Sequence, residues 1–156
     1  MPELQGRLRR TGQVAILVSR YNEMVTGRLL EGALAVCREA GVPDREVDTL
    51  WVPGAFELGA AAAAAAGTGR YACIVALGAV IRGDTAHFEF VAGEAARSLA
   101  DVAVKFAMPV AFGVLTVDTL EQAMARAGGA AGNKGREAAE AALTLADAFV
   151  ALRAAR

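Results

Sequence analysis

His87 is the only histidine in this 156-residue chain, and so the side chain best suited to move protons near neutral pH. It closes the segment Arg82-Gly83-Asp84-Thr85-Ala86-His87, which joins an apolar run ending at Ile81 to a periodic run starting at Phe88. Gly83 permits the turn, and Asp84 or Thr85 can cap the helix that follows. Open N–H groups at a helix N-terminus, aided by the helix dipole, make an anion site for which phosphate is the natural guest. The competing reading of His87 is a capping or surface residue. Tyr21, just past Ser19, either stacks on a planar heterocycle or packs half-buried. Glu57 either accepts hydrogen bonds from hydroxyls and amines or is ordinary first-turn acid placement. Arg126 and Lys134 flank the glycine-rich loop Ala127-Gly128-Gly129-Ala130-Ala131-Gly132-Asn133 and suit a phosphate, Arg through paired hydrogen bonds and Lys as a point charge. That stretch lacks the Lys-Ser/Thr ending of a P-loop, which argues against a nucleoside triphosphate. No Ser-His-Asp set, paired cysteines or clustered carboxylates are visible, and one histidine makes a catalytic zinc improbable.

Positioning these residues falls to alternating elements. Val14–Ser19, Val47–Val52, Ala72–Ile81 and Val110–Leu115 read as strands, the first and third nearly all apolar, as in strands covered on both faces. Between them, Met24–Ala40, Phe56–Ala66 and Phe88–Phe106 read as helices. A short helix over Thr119–Arg126 and a last one from Lys134 or Gly135 to about Leu152 complete the chain. The seven alanines of Ala60–Ala66 are strong helix formers and form a packed helix rather than a disordered tract. Strand–helix alternation predicts an α/β fold with a parallel sheet and helices on both faces. Ligands then bind outside the carboxyl ends of the strands. The segments there are Arg20–Asn22, Pro53–Glu57, Arg82–His87 and Thr116–Thr119, which hold nearly every chemically capable residue.

Composition narrows the partners. Hydrophobic residues make up 55% and mean hydropathy is +0.38, against about 45–50% apolar in an ordinary soluble domain. That excludes disorder. Apolar runs fall well short of the roughly 18 residues of a membrane span, so the excess points to a subunit interface. Sixteen basic against 17 acidic residues disfavours nucleic acid. Met1–Gly12 leads into no signal-type apolar region, and Cys37 and Cys73 read as buried, reduced thiols, so a cytoplasmic protein is expected. One domain over 1–156 is expected, with 1–12 as an extended arm.

Trp51-Val52-Pro53-Gly54-Ala55-Phe56-Glu57, Val80-Ile81-Arg82-Gly83-Asp84-Thr85-Ala86-His87-Phe88 and Ala131-Gly132-Asn133-Lys134-Gly135 together resemble the 6,7-dimethyl-8-ribityllumazine synthase family. The likeness runs from about Gly12 to Leu152. It implies a flavodoxin-like three-layer sandwich with a four-stranded parallel sheet. It implies condensation of 5-amino-6-(D-ribitylamino)uracil with 3,4-dihydroxy-2-butanone 4-phosphate, the penultimate step of riboflavin biosynthesis, with no cofactor or metal. By the same likeness Tyr21 stacks on the uracil ring, while Ala55, Phe56 and Glu57 with Ala79, Val80 and Ile81 hold the ribityl chain and pyrimidine. Asp84 and Thr85 contact the phosphate substrate and His87 moves protons as phosphate leaves. Phe112, Arg126 and Lys134 come from a neighbouring subunit. The resemblance implies a homo-pentamer. The short loop at Gly128–Gly132 favours an icosahedral shell of twelve pentamers, with room for a riboflavin synthase partner. Two departures stand out: Tyr21 replaces the usual Phe or Trp, and Gly129-Ala130 replaces a frequent Thr-Lys pair. Two other classes stand beside it: a flavodoxin-like binding module that carries a flavin or lumazine without turnover, and a primarily structural shell protein, which does not exclude the enzyme.

Overall fold

The computed structural model describes residues 1–155; Arg156, the last residue of the expected domain span, lies outside the described residues. Its centre is a four-stranded, all-parallel sheet in the order β2-β1-β3-β4, built from β1 (Gln13–Ser19), β2 (Val47–Val52), β3 (Tyr71–Ile81) and β4 (Val110–Val117). Successive side chains on a strand point to opposite faces. On β1, Val14, Ile16 and Val18 join one core, while Ala15 and Leu17 join the other. Both faces of the central strands are therefore covered, and this is why β1 and β3 read as unbroken apolar runs.

Helices α1 (Glu23–Glu39) and α5 (Lys134–Ala154) pack on the first face, and α2 (Leu58–Gly67) with α3 (His87–Phe106) on the second. This is the expected three-layer sandwich. The alanine tract is indeed a packed helix: Leu58, Gly59, Ala62 and Ala66 are buried on one side of α2. Gly59 sets how close α2 comes to α3, because a Cβ there would run into Ser98. The short helix α4 (Leu120–Ala125) follows β4, held by a capping box in which Thr119 and Gln122 satisfy each other's backbone N–H groups.

Two local expectations are corrected. Phe56 and Glu57 do not belong to an α-helix: Ala55–Glu57 is a 3₁₀ turn, and α2 begins at Leu58. The glycine-rich stretch is not a loop throughout. Ala127–Gly129 (β5) and Gly132–Asn133 (β6) form a small antiparallel hairpin, with Gly128 (φ 102°) and Gly132 (φ 89°) in backbone conformations that side chains disfavour.

Residues before β1 have no regular secondary structure but are anchored. The Arg7 N–H donates to Asp147 on α5 at 2.7 Å, the Arg9 guanidinium pairs with the same carboxylate, and Arg10 makes a two-pronged pair with Glu46. Among the described residues, no helix is long and apolar enough to cross a membrane.

Candidate active site

The carboxyl ends of β1, β2 and β3 frame a cleft of about 810 Å³. At the end of β1 the ladder to β2 continues past the strands: the Arg20 N–H donates to the Val52 carbonyl at 2.7 Å and the Tyr21 N–H to the Pro53 carbonyl at 3.0 Å. Asn22 then adopts the left-handed conformation (φ 64°, ψ 45°), which Asn tolerates better than most residues, and turns the chain into α1. Its Nδ2 donates to the Ala79 carbonyl at 3.1 Å, tying this junction to β3. The turn throws Tyr21 outward, 74% exposed on the cleft wall. A ring so exposed is not a half-buried packing residue, and its face is open to the cleft.

β2 contributes Ala55, Phe56 and Glu57 to the same cleft. Ala55 is buried, Phe56 exposed, and the Glu57 carboxylate folds back over Gly54, where a Cβ would stand 3.3 Å from its Oε1. β3 supplies Ala79, Val80 and Ile81, and the connection after it supplies Gly83, Thr85 and His87. Asp84 is exposed in that connection but does not line the cleft.

His87 is the first residue of α3. The expected cap by Asp84 or Thr85 does not form. Ala86 holds the capping position and has no oxygen to offer, while the Thr85 hydroxyl, one residue early, reaches the His87 N–H only at 3.4 Å. The Glu89 N–H meets the Ala86 carbonyl at 3.0 Å, so the first turn of α3 is held by one backbone bond and the long Thr85 contact, with no side-chain cap from the capping residue.

Phe112, Arg126 and Lys134 lie elsewhere. Two adjoining depressions of about 580 and 440 Å³ are both walled by Phe112 and Arg126, and the second also by Lys134. The first shares Phe88 with the cleft, yet none of the three residues lines the cleft that holds His87. Beside the β5–β6 hairpin the backbones of the two residues pair, the Lys134 N–H donating to the Arg126 carbonyl at 2.8 Å, and both residues line the second depression. Among the described residues neither cation has a carboxylate within ion-pair distance, and Arg126 spends only Nη1 on the Gln122 carbonyl at 3.0 Å. The remaining donors are free for an anionic ligand.

Three residues near these cavities have no role in the sequence reading: Asn22 lines the cleft, Arg82 lines the first depression, and Arg20 stands at the end of β1. Asn22 carries a signal of its own, since an Asn at a strand-to-helix junction favours left-handed backbone. Arg20 lies 4.8 Å from the Trp51 ring centroid and pairs with Glu23, while Arg82 lies 4.6 Å from that of Phe88 and pairs with Asp118. The Arg20 stack joins separate segments, β1 and β2, and the Arg82 stack closes the turn between β3 and α3, a geometry that residue order alone does not announce. Both cysteines are buried in the sheet–helix core, as expected, and burial pushes the thiols up to about 11 for Cys37 and about 12 for Cys73. Among the described residues, no three His, Cys, Asp or Glu side chains gather so as to hold a metal ion.

The chain is 52% identical over 143 residues to a protein of Edwardsiella ictaluri (strain 93-146) named 6,7-dimethyl-8-ribityllumazine synthase. That match covers 91% of this chain and 92% of the relative. The family model described as 6,7-dimethyl-8-ribityllumazine synthase matches residues 11–149, which spans all four sheet strands, the cleft and the cation pair. With the three motifs standing where the parallel sheet gathers them, the chain belongs to the 6,7-dimethyl-8-ribityllumazine synthase family.

Proposed function

We propose that the His87 cleft of one copy and the Arg126–Lys134 depression of a neighbouring copy form one active site for the family's reaction. That reaction condenses 5-amino-6-(D-ribitylamino)uracil with 3,4-dihydroxy-2-butanone 4-phosphate. The observation that carries this reading is the split itself: the only histidine and the unpaired cations occupy different cavities of the same chain. A site needing both draws them from two copies.

In this arrangement the uracil ring stacks on Tyr21, and the backbone of Ala79, Val80 and Ile81 addresses its polar edge. Ala55, Phe56 and Glu57 take the ribityl chain, with the Glu57 carboxylate accepting from its hydroxyls. The phosphate meets the uncapped start of α3 near Asp84 and Thr85, while Arg126 and Lys134 approach it from the neighbour beside Phe112. The 5-amino group attacks the ketone and the resulting imine forms with loss of water. His87 takes the proton from C3 as inorganic phosphate leaves C4, and returns one as the resulting enol becomes a carbonyl at C3. The ribityl-bearing nitrogen then closes the ring on the second carbonyl, with loss of a second water. Bringing two substrates into register supplies roughly 7–11 kcal/mol in favourable cases. A single general acid–base adds about 10²–10⁴-fold. Few reactive side chains are therefore needed.

Turnover is tested by supplying both substrates and following the fluorescent lumazine. Product formation supports the enzyme reading over a passive flavin-binding module; its absence with intact substrates overturns it. Assembly into a pentamer, and of twelve pentamers into a shell that can hold a riboflavin synthase, belongs to the same reading. Its support is the surface. Accessible area is 8368 Å², against about 7,400 Å² for a monomer of this mass, and Phe90 (70%) and Val104 (83%) stand exposed on α3. Light scattering separates monomer, pentamer and shell.

A further inference from the structure

Asn133 ends β6 and occupies the capping position of α5, directly between the hairpin and Lys134. Its side chain works in two directions. Oδ1 accepts from the Gly135 N–H at 2.8 Å and the Arg136 N–H at 3.1 Å, which is helix capping. Nδ2 donates to the Arg28 carbonyl on α1 at 3.2 Å, which capping does not require. Helix α1 is shaped to receive the group: a Cβ on Gly32 would stand 2.5–2.7 Å from the carboxamide atoms of Asn133. Asn133 is also the ladder partner of Ala127, the residue after Arg126. Both cations thus sit one residue from the pairing that Asn133 anchors.

We propose that Asn133 is a positioning residue for the phosphate-binding cations. Its carboxamide pins the hairpin–α5 junction to α1, and so fixes where the Arg126 and Lys134 side chains start. The inference rests on the reading of that pair as the holder of the phosphate. A cap needs only an acceptor, which Ser, Asp and Asn all provide. The donor half of Asn133 is what separates positioning from capping.

The experiment measures steady-state kinetics of the full-length assembly for both substrates in Asn133→Ser, Gly32→Ala and Arg126→Ala. Asn133→Ser keeps a neutral capping oxygen and loses the tether; Gly32→Ala keeps every site residue and displaces the carboxamide from the α1 side. Both should raise KM for the butanone phosphate about threefold to tenfold, the worth of one net hydrogen bond, with KM for the uracil substrate and kcat unchanged. Loss spread equally over both substrates and kcat would mean a structural role only and would overturn the proposal. So would a raised phosphate-substrate KM in Arg126→Ala with none in the other two. An unchanged KM in Arg126→Ala would instead remove the phosphate role of the pair, and the inference with it. If Asn133→Ser fails to fold, Gly32→Ala decides alone by the same criteria.

Discussion

Two defective chains should restore each other when they are made together. The perturbations are His87→Ala, which removes the imidazole proposed to transfer protons in the cleft, and Arg126→Ala, which removes one of the two cations of the other cavity. Arg126 spends one hydrogen bond on the Gln122 carbonyl and meets no carboxylate among the described residues, so its loss removes at least one charge-assisted bond to phosphate. That is worth about 1.5–3 kcal/mol, or roughly 10–150-fold at subsaturating phosphate substrate. His87→Ala costs about 10²–10⁴-fold in kcat. Each variant alone therefore keeps at most about a tenth of normal activity. In a closed ring of randomly mixed chains, a site is intact when its cleft comes from an Arg126→Ala chain and its cations from a His87→Ala neighbour. Each condition holds half the time, so about one quarter of sites recover. The assay is the initial rate of lumazine formation by co-expressed, co-purified chains, with separately purified chains mixed without exchange as the baseline. Co-expressed assemblies that remain at the floor of the single variants would refute the shared site, because a site contained in one chain would always carry one of the two defects.

Three further outcomes follow from particular contacts. Asn22→Gly keeps the left-handed turn but loses the bond to the Ala79 carbonyl; KM for the uracil substrate should rise about threefold to tenfold, and an unchanged value would show that the bond does not position Tyr21. Cys37 and Cys73 should resist a thiol reagent at pH 8 in the folded protein and both react in denaturant. Because their folded values lie above the ordinary 9.0, they contribute stability present below pH 9 and lost as pH rises toward 11 and 12, so alkaline unfolding should begin earlier than in a Cys37→Ala/Cys73→Ala chain. The Arg7 N–H, then the Arg9 guanidinium, hold the Asp147 carboxyl below its ordinary value of 3.8. The clasp on residues 7–9 is thus complete above that value and released as pH falls below it; proteolysis within residues 1–12 should accelerate there, and Asp147→Asn should lose the pH dependence.

Local chemistry made much of this protein legible from its residue order alone. Val14–Ser19 and Tyr71–Ile81 are unbroken apolar runs because both sheet faces are covered, and that pattern survives in any reading of the chain. The motifs ending β2 and β3 and the one entering α5 are contiguous residues, so the family likeness needed no coordinates to be recognised. Long-range pairing decided the rest. The order β2-β1-β3-β4 places Tyr21, Glu57 and His87 on one cleft although up to 66 residues separate them, and no local preference encodes a strand order. The β5–β6 hairpin, the left-handed Asn22 bonded to Ala79 and the tether from Asn133 to α1 each depend on a partner distant in sequence or on a backbone state open to few residue types. The separation of Arg126 and Lys134 from His87 is of the same kind. Both are set by where the ends of β3 and β4 come to lie in space, so only the folded sheet shows that the histidine and the two cations line different cavities of one chain.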